Sequence, residues 1–499
     1  MVSNDYSESW RFLPWKQFHK NLFRLQRRVW KAIRAGERKK AINLQKLIVK
    51  SRSARLLAVR QVTQLNTGKK TAGVDGKASL SFKERFELEK LLESQAEDWK
   101  HLPLREIPIP KKDGTKRVLK VPTIKDRAWQ CLIKYAVEPA HEALFHPRSY
   151  GFRLGRSAHD CQKYLFNHLR SRSNGRTKRI FEVDIEKCFD RISHNALMTR
   201  VIAPQKIKLG LWHCLKTGTN PEFPSQGTPQ GSVISPTLAN IALDGVEDIH
   251  PSVRYSDDMV FILKPGDSVR LIKRKLNSFL AERGLNIKPQ KTRLVSATDG
   301  FDFLGWHFKV QRNGKFRSFP SKENFLAFRK KVKNIINNSN YGSKVKAQKL
   351  APVIRGWRNY HRYCKMNGSR FSLWFIRLRA WKVLSKEKKL TRYQVNDLIN
   401  QAFPSVPYSE NRYVMVKGDY SPFNGDVPYW SKRNSSLYDG DTSQALKKQN
   451  HTCGHCGLGF LDGQRVHLHH IDGNHNNWDY QNLLAVHQSC HDYIHMGKR

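Results

Sequence analysis

The run LHHIDGNHNNWDYQNLLAVHQSCHDYIH near the end of the chain concentrates side chains that bind metals and accept protons. His469 and His470 are adjacent, Asn482 follows, and His491 and His495 stand one helical turn apart, so both imidazoles project from one helix face. An imidazole titrates near neutrality and can take a proton from water, so the cluster has the chemistry to hydrolyse a phosphodiester. Around it, CGHCG supplies Cys453 and Cys456, and VHQSCH supplies His487 and Cys490 at the same two-residue gap. Four soft or borderline ligands in two close pairs fit a tetrahedral structural Zn2+. Such a site would brace a segment too small to bury a core of its own. The bland alternative is unconnected surface thiols and a stray histidine, which the paired spacing disfavours.

Farther upstream, RYSDDMVF sets Asp257 and Asp258 between apolar, strand-favouring residues, and FEVDIEKCFD carries Asp184 at a strand-like start. Nucleotidyl transfer needs two divalent cations about 4 Å apart, held by hard oxygen ligands. Adjacent aspartates at the tip of an apolar hairpin repel and raise each other's pKa unless a cation lies between them, so the pair is a poor structural choice.

Elements that would position these groups are legible in the pattern. Residues 15–64 carry apolar side chains at helical spacing among Arg and Lys, which predicts two basic amphipathic helices, and TGKKTAGVDG breaks that pattern. LREIPIPKKDGTKRVLKVP reads as a two-stranded hairpin with a basic tip, and VRYSDDMVFIL as a second hairpin. Helical stretches such as KDRAWQCLIKYAVEPAHEAL lie between strands, giving a multidomain α+β protein. After Gly305 the chain is expected to turn basic and helical again. Residues 403–443, rich in Pro, Gly, Ser and Tyr, read as a loop-rich connector. There is no repeat at a fixed period.

Lys and Arg total 90 against 42 Asp and Glu, a formal charge of +48 over 499 residues. A surface this basic suits a large folded nucleic acid better than mere solubility requires. No apolar stretch approaches a membrane span, and MVSNDYSESWRF lacks the order of a signal peptide, so an intracellular location and no membrane partner are expected. Cys131, Cys161, Cys188, Cys214 and Cys364 are scattered as reduced core residues would be.

The segments IPKKDGTKR, VPTIKDRAWQ, SYGFRLGRSAHD, FEVDIEKCFDRISH, SQGTPQGSVISPTLANIAL, RYSDD, GLNIKPQKT and FDFLGWHF occur in an order that resembles the reverse transcriptases encoded by group II introns. RGWRNYHRY resembles the thumb or maturase region of that family, and the terminal histidine run resembles HNH endonucleases. These resemblances imply a basic helical extension at 1–72, right-hand fingers and palm at 73–310, a helical thumb/maturase region at 311–385, a DNA-binding region and linker at 386–449, and a ββα-metal HNH module with structural zinc at 450–499.

By the same resemblances, Asp184, Asp257 and Asp258 would bind two Mg2+. Phe189 would exclude a ribose 2′ hydroxyl. Lys111 and Arg117 would meet the triphosphate, and Gln230 would line the nucleotide pocket. Lys291 would approach the palm site. In the terminal module His470 would be the general base, oriented by Asn482, while His469, His491 and His495 would bind Mg, Mn or Zn. Asp472 and His475 read as loop or DNA contacts. The chain departs from the family where Ser256 replaces the usual alanine before the aspartates.

The implied protein assists folding and splicing of its intron RNA and stays bound as a ribonucleoprotein. It cuts one strand of a target DNA and copies the intron from the new 3′ end with deoxynucleoside triphosphates. Its expected place is bacterial cytoplasm or nucleoid, or an organelle. Other readings are an RNA-binding splicing factor with an idle polymerase, and a host-adapted defence reverse transcriptase.

Overall fold

The computed structural model describes residues 6–495 apart from 111–113, 115, 219–221, 367–370, 388–389, 436–437, 439, 461–465 and 476. The N-terminal stretch forms three long helices rather than two: Trp15–Arg34, Arg38–Lys50 and Arg52–Arg60. The break falls at Ser51, whose ψ of 119° ends one helix and begins the next. The apolar period runs on through it, so spacing alone does not signal the break. Val29, Leu44, Ile48 and Leu56 are buried and share one core with the helix Ile124–Glu142 and the palm as far as Ile287. Burying the apolar stripe turns the cationic stripe outward.

Strands β1 (Arg105–Pro110) and β2 (Lys116–Val121) pair antiparallel, with Ile109 opposite Arg117. The palm sheet has the order β4-β5-β3-β6, from β3 (Arg179–Val183), β4 (Ser252–Tyr255), β5 (Asp258–Leu263) and β6 (Arg293–Ser296), all antiparallel. Met259 to Leu263 is buried throughout, as a central strand covered on both faces must be.

The helical stretch expected after Gly305 begins only at Lys322. Before it, β7 (Phe301–Phe303), β8 (Trp306–Val310) and β9 (Phe316–Pro320) make an antiparallel sheet. Alternating burial in WHFKV and FRSFP marks strands, and Asn313-Gly314 turns the chain between them. The helices Lys322–Asn337, Ser343–Tyr360, Trp374–Leu384 and Arg392–Ala402 pack with this sheet around Phe308, Val332, Leu350, Ala380 and Ile399.

Residues 404–435 are not a free connector. They form a strap seated on the motif SYGFRLGRSAHD. The Arg433 guanidinium donates to both Asp160 carboxylate oxygens at 2.9 and 3.1 Å, and the Val416 amide donates to Asp160 at 2.8 Å. Arg156 donates to the carbonyls of Gly418 and Tyr420. Gly155, at φ +72°, lies so close to the Trp430 ring that a Cβ would come within 2.3 Å of it.

Beyond the strap, the helix Gly440–Lys448, the hairpin of β10 (Val466–His470) and β11 (Leu483–His487), and the helix Gln488–Ile494 surround a small core of Ala445, Leu446, Phe460, Ala485 and Val486. No described helix is long and apolar enough to cross a membrane.

Candidate active sites

In the palm, Val183 pairs with Met259, so Asp184 and Asp258 are the next residues outward along neighbouring strands. Asp257 is in the two-residue turn between β4 and β5, whose first residue, Ser256, has φ +61°. Desolvation in this crowded cleft, then the charges of Asp257 and Asp184, push the Asp258 carboxyl up to about 6, although the residue keeps an exposed surface. Lys291 comes from the short helix Pro289–Lys291, and its Nζ lies 3.3 Å from Asp184 Oδ2. The amide of Lys288 clips the same turn to the Asp184 carbonyl at 2.8 Å. Asp257, Asp184 and Lys291 thus all lie within electrostatic reach of Asp258.

The turn is held from beneath by residues that motif reading passed over. Arg254 is fully buried, and its Nε donates to Glu247 Oε1 at 2.6 Å. Its Nη1 donates to Asn240 Oδ1 at 3.0 Å and to the Ser256 carbonyl at 3.1 Å. Asn240 in turn donates to the Gly151 carbonyl, and a Cβ at Gly151 would lie 2.3 Å from the Ser256 nitrogen. Apart from Ser256, two positions from Arg254, these partners lie 7 to 89 positions apart in sequence, so spacing could not have joined them. Ser256 Oγ is buried without a hydrogen-bond partner among the described residues.

The TPQG loop joins palm to fingers. The Thr228 amide donates to the Phe189 carbonyl at 2.6 Å, Gln230 Nε2 donates to Asp190 at 3.3 Å, and the Gln230 carbonyl accepts from the Lys120 amide on β2 at 2.7 Å. Phe189 is half-buried against the palm core, and Arg117 is exposed on β2. Lys111 lies outside the described residues.

In the terminal module, strand alternation sends His469 and His470 to opposite faces of β10. The ligand nitrogens of His469, His491 and His495 lie within 4.8 Å of one another. Burial lowers the His491 pKa, and His495, His467 and His469 lower it further. His470 faces the other way, toward the rings of His475 and Trp478 at 5.0 and 5.2 Å. The expected contact from Asn482 to His470 is not formed. The Asn482 carboxamide accepts from the Asp472 amide and donates to the Asp472 carboxylate and the Asn477 carbonyl, which exhausts its short reach. Both His470 ring nitrogens are buried and make no hydrogen bond among the described residues. Asp472 and His475 lie in the loop that Asn482 pins.

Cys453, Cys456, His487 and Cys490 also bring their ligand atoms within 4.8 Å of one another. The Cys456 and His487 amides both point at Cys453 Sγ, at 3.5 Å. Hydrogen bonds from Cys456 and Cys490 hold the Cys453 thiol far below its ordinary range. Burial pulls His487 down, but Cys453 and Cys456 outweigh it and raise it to about 9. A donor set that gathers protons around a thiolate in this way fits Zn2+.

Three family models match the chain: the N-terminal domain of reverse transcriptase at 10–92, reverse transcriptase (RNA-dependent DNA polymerase) at 109–308, and the group II intron maturase-specific domain at 326–397. A relative described as Maturase-like protein 1 of Euglena gracilis is 41% identical over 78% of this chain and 85% of its own. Protein YkfC of Escherichia coli is 30% identical over 52% and 81%. The group II intron-encoded protein LtrA of Lactococcus lactis is 32% identical over 50% and 54%.

Proposed function

Because the chain belongs to the group II intron reverse transcriptase and maturase family, we propose that it copies intron RNA into DNA at the palm and cuts one strand of a target DNA at the terminal histidines, so that the cut end primes the copy. Its reverse transcriptase domain is an RNA-directed DNA polymerase that works with divalent metal, and intron RNA and nucleotides are its substrates. The observation that carries the fuller reading is that three carboxylates meet at the edge of the palm sheet and three imidazoles meet between β10 and the terminal helix, on two sheets that share no strand.

At the palm, Asp184, Asp257 and Asp258 hold two Mg2+, which when bound lower the pKa of the attacking 3′ hydroxyl and steady the leaving pyrophosphate. Lys291 balances the carboxylate charge. Phe189 walls off a 2′ hydroxyl, while Gln230 ties the nucleotide floor to the fingers, whose Arg117 and Lys111 meet the triphosphate.

In the terminal module His469, His491 and His495 hold one divalent cation, which when bound polarises the scissile phosphate. His470, with both ring nitrogens uncommitted, takes a proton from the attacking water. Cys453, Cys456, His487 and Cys490 hold the structural Zn2+ that braces the module. The outward stripes of the N-terminal helices and the thumb hold RNA, and the exposed part of 386–449 touches DNA.

Asp257→Ala should lower primer extension on an RNA template on the order of 10³-fold while cleavage and splicing persist. His470→Ala should lower nicking by roughly 10²-fold or more and leave primer extension unchanged. Loss of both activities from either well-folded variant would sink the assignment of two independent sites.

A further inference from the structure

The N-terminal helices, the strap and the terminal module border an open cavity of about 780 Å³ that lies apart from both active sites, with Cys456, His487 and Cys490 of the Cys3His set on one wall. Its volume is within the range of sites that take nucleotide-sized ligands. The cationic side chains Arg11, Lys16, Lys20, Arg60 and Arg85 line it against one carboxylate among the described residues, that of Asp492. Such an imbalance repels a cation or an acceptor-poor ligand and favours an anion.

Among those cations, Arg85 has Nε and Nη1 buried without a hydrogen-bond partner among the described residues, which leaves donors for an added acceptor. The Arg60 guanidinium lies 4.3 Å over the Trp15 ring, a stacked pair that presents a flat cationic face. Aromatic surface comes from three sides: Phe12 and Trp15 at the N-terminus, Trp430 on the strap, and Phe460 and Tyr493 in the terminal module. Phe12 is 67% exposed, unusual for a phenylalanine beside a basic wall.

Flat apolar faces interleaved with guanidinium and ammonium groups are what an unpaired nucleotide recognises: the base stacks and the phosphate pairs with cations. We propose that this cavity receives an unpaired nucleotide of a bound nucleic-acid strand, with its base against Phe12 and Tyr493 and its phosphate between Lys16 and Arg60. The wall is shared, so an occupied cavity also ties the terminal module to the N-terminal helices. Both polymerase and nuclease assignments are independent of this site.

The test uses the full-length, zinc-loaded protein without added magnesium. Oligodeoxythymidylate and oligouridylate, each carrying a photoreactive 4-thio base, are cross-linked and the adducts mapped by mass spectrometry. Adducts on Phe12, Trp15 or Tyr493 are expected, and the oligomer that gives them identifies the strand as DNA or RNA. Phe12→Ala, at an exposed position where folding is not at risk, should weaken binding of that oligomer about tenfold. Lys16→Ala with Arg60→Gln should also reduce the salt slope by roughly 0.7 for each phosphate no longer neutralised, whereas Lys273→Ala on the helix Val269–Ala281, which does not line the cavity, should do neither. Adducts confined to other surfaces with both oligomers, or unchanged affinity and salt slope in the cavity variants, would overturn the proposal.

Discussion

The palm carboxylates and the terminal imidazoles are supported in opposite ways. Asp257 stands on a turn above the fully buried Arg254, whose guanidinium is tied to Glu247, Asn240 and the Ser256 carbonyl, inside a core shared with the N-terminal helices. The carboxylates repel one another, and the packed scaffold keeps them together despite that repulsion. His469, His491 and His495 instead ride on a hairpin and a short helix whose core is a handful of residues. There the Cys453, Cys456, His487 and Cys490 set, with the proposed Zn2+ bound, would replace the missing bulk, since a cross-link supplies what burial cannot. A site of like charges needs a rigid floor; a site of neutral ligands needs only a brace.

Removing the brace is the sharpest way to separate the two regions. Cys453→Ser should unfold the terminal module by an amount on the order of 10 kcal/mol of metal-linked stability. Limited proteolysis should then release residues beyond the strap, with zinc content and nicking lost and primer extension retained. Retention of nicking would show that the hairpin and helix stand without the Cys3His set.

On the other side, Arg254→Met leaves Glu247 buried without its partner, a change that costs about 3–5 kcal/mol. Chemical denaturation of the large core should register that loss, and primer extension should fall more than RNA affinity because the aspartate turn loses its floor. Equal falls would mean that Arg254 serves the fold and not the turn.

The smallest effect is a matter of pH. Asp258 is raised from its ordinary 3.8 to about 6, so folding takes up a proton between those values. Its contribution to stability therefore becomes unfavourable as pH rises through that window, and a bound cation relieves it. Below about pH 6 that proton competes with the metal, so the half-saturating magnesium concentration for primer extension should climb up to about tenfold per pH unit. A magnesium titration at about pH 5 and about pH 7.5 measures this, and an identical midpoint at both would break the electrostatic half of the comparison.

Sequence spacing found the chemistry better than the scaffolding. The Cys3His set was legible because each of its two ligand pairs is separated by a turn of known reach, and His491 with His495 obeys helical geometry, whereas His469 joined them only through the family resemblance. The hairpins at 105–121 and 252–263 pair as expected from strand-like runs on either side of KKDG and of Ser256-Asp257, although burial alternates in neither. Contacts across hundreds of residues left no local trace. Arg433 meets Asp160 from 273 positions away, so a segment rich in Pro, Gly and Tyr looked like a linker. Asn482 sits at the expected position but spends its carboxamide on Asp472, a choice among hydrogen-bond partners that spacing cannot reveal.

The socket at Gly155 sets a rule for anyone wishing to transplant the terminal domain. With Trp430 pressed where a Cβ would lie and Arg433 locked beneath it, a graft cut within 404–435 would tear its root out of the donor. A cassette intended for another polymerase has to begin after Ser435, or else take along a recipient loop with a glycine in the same left-handed bend.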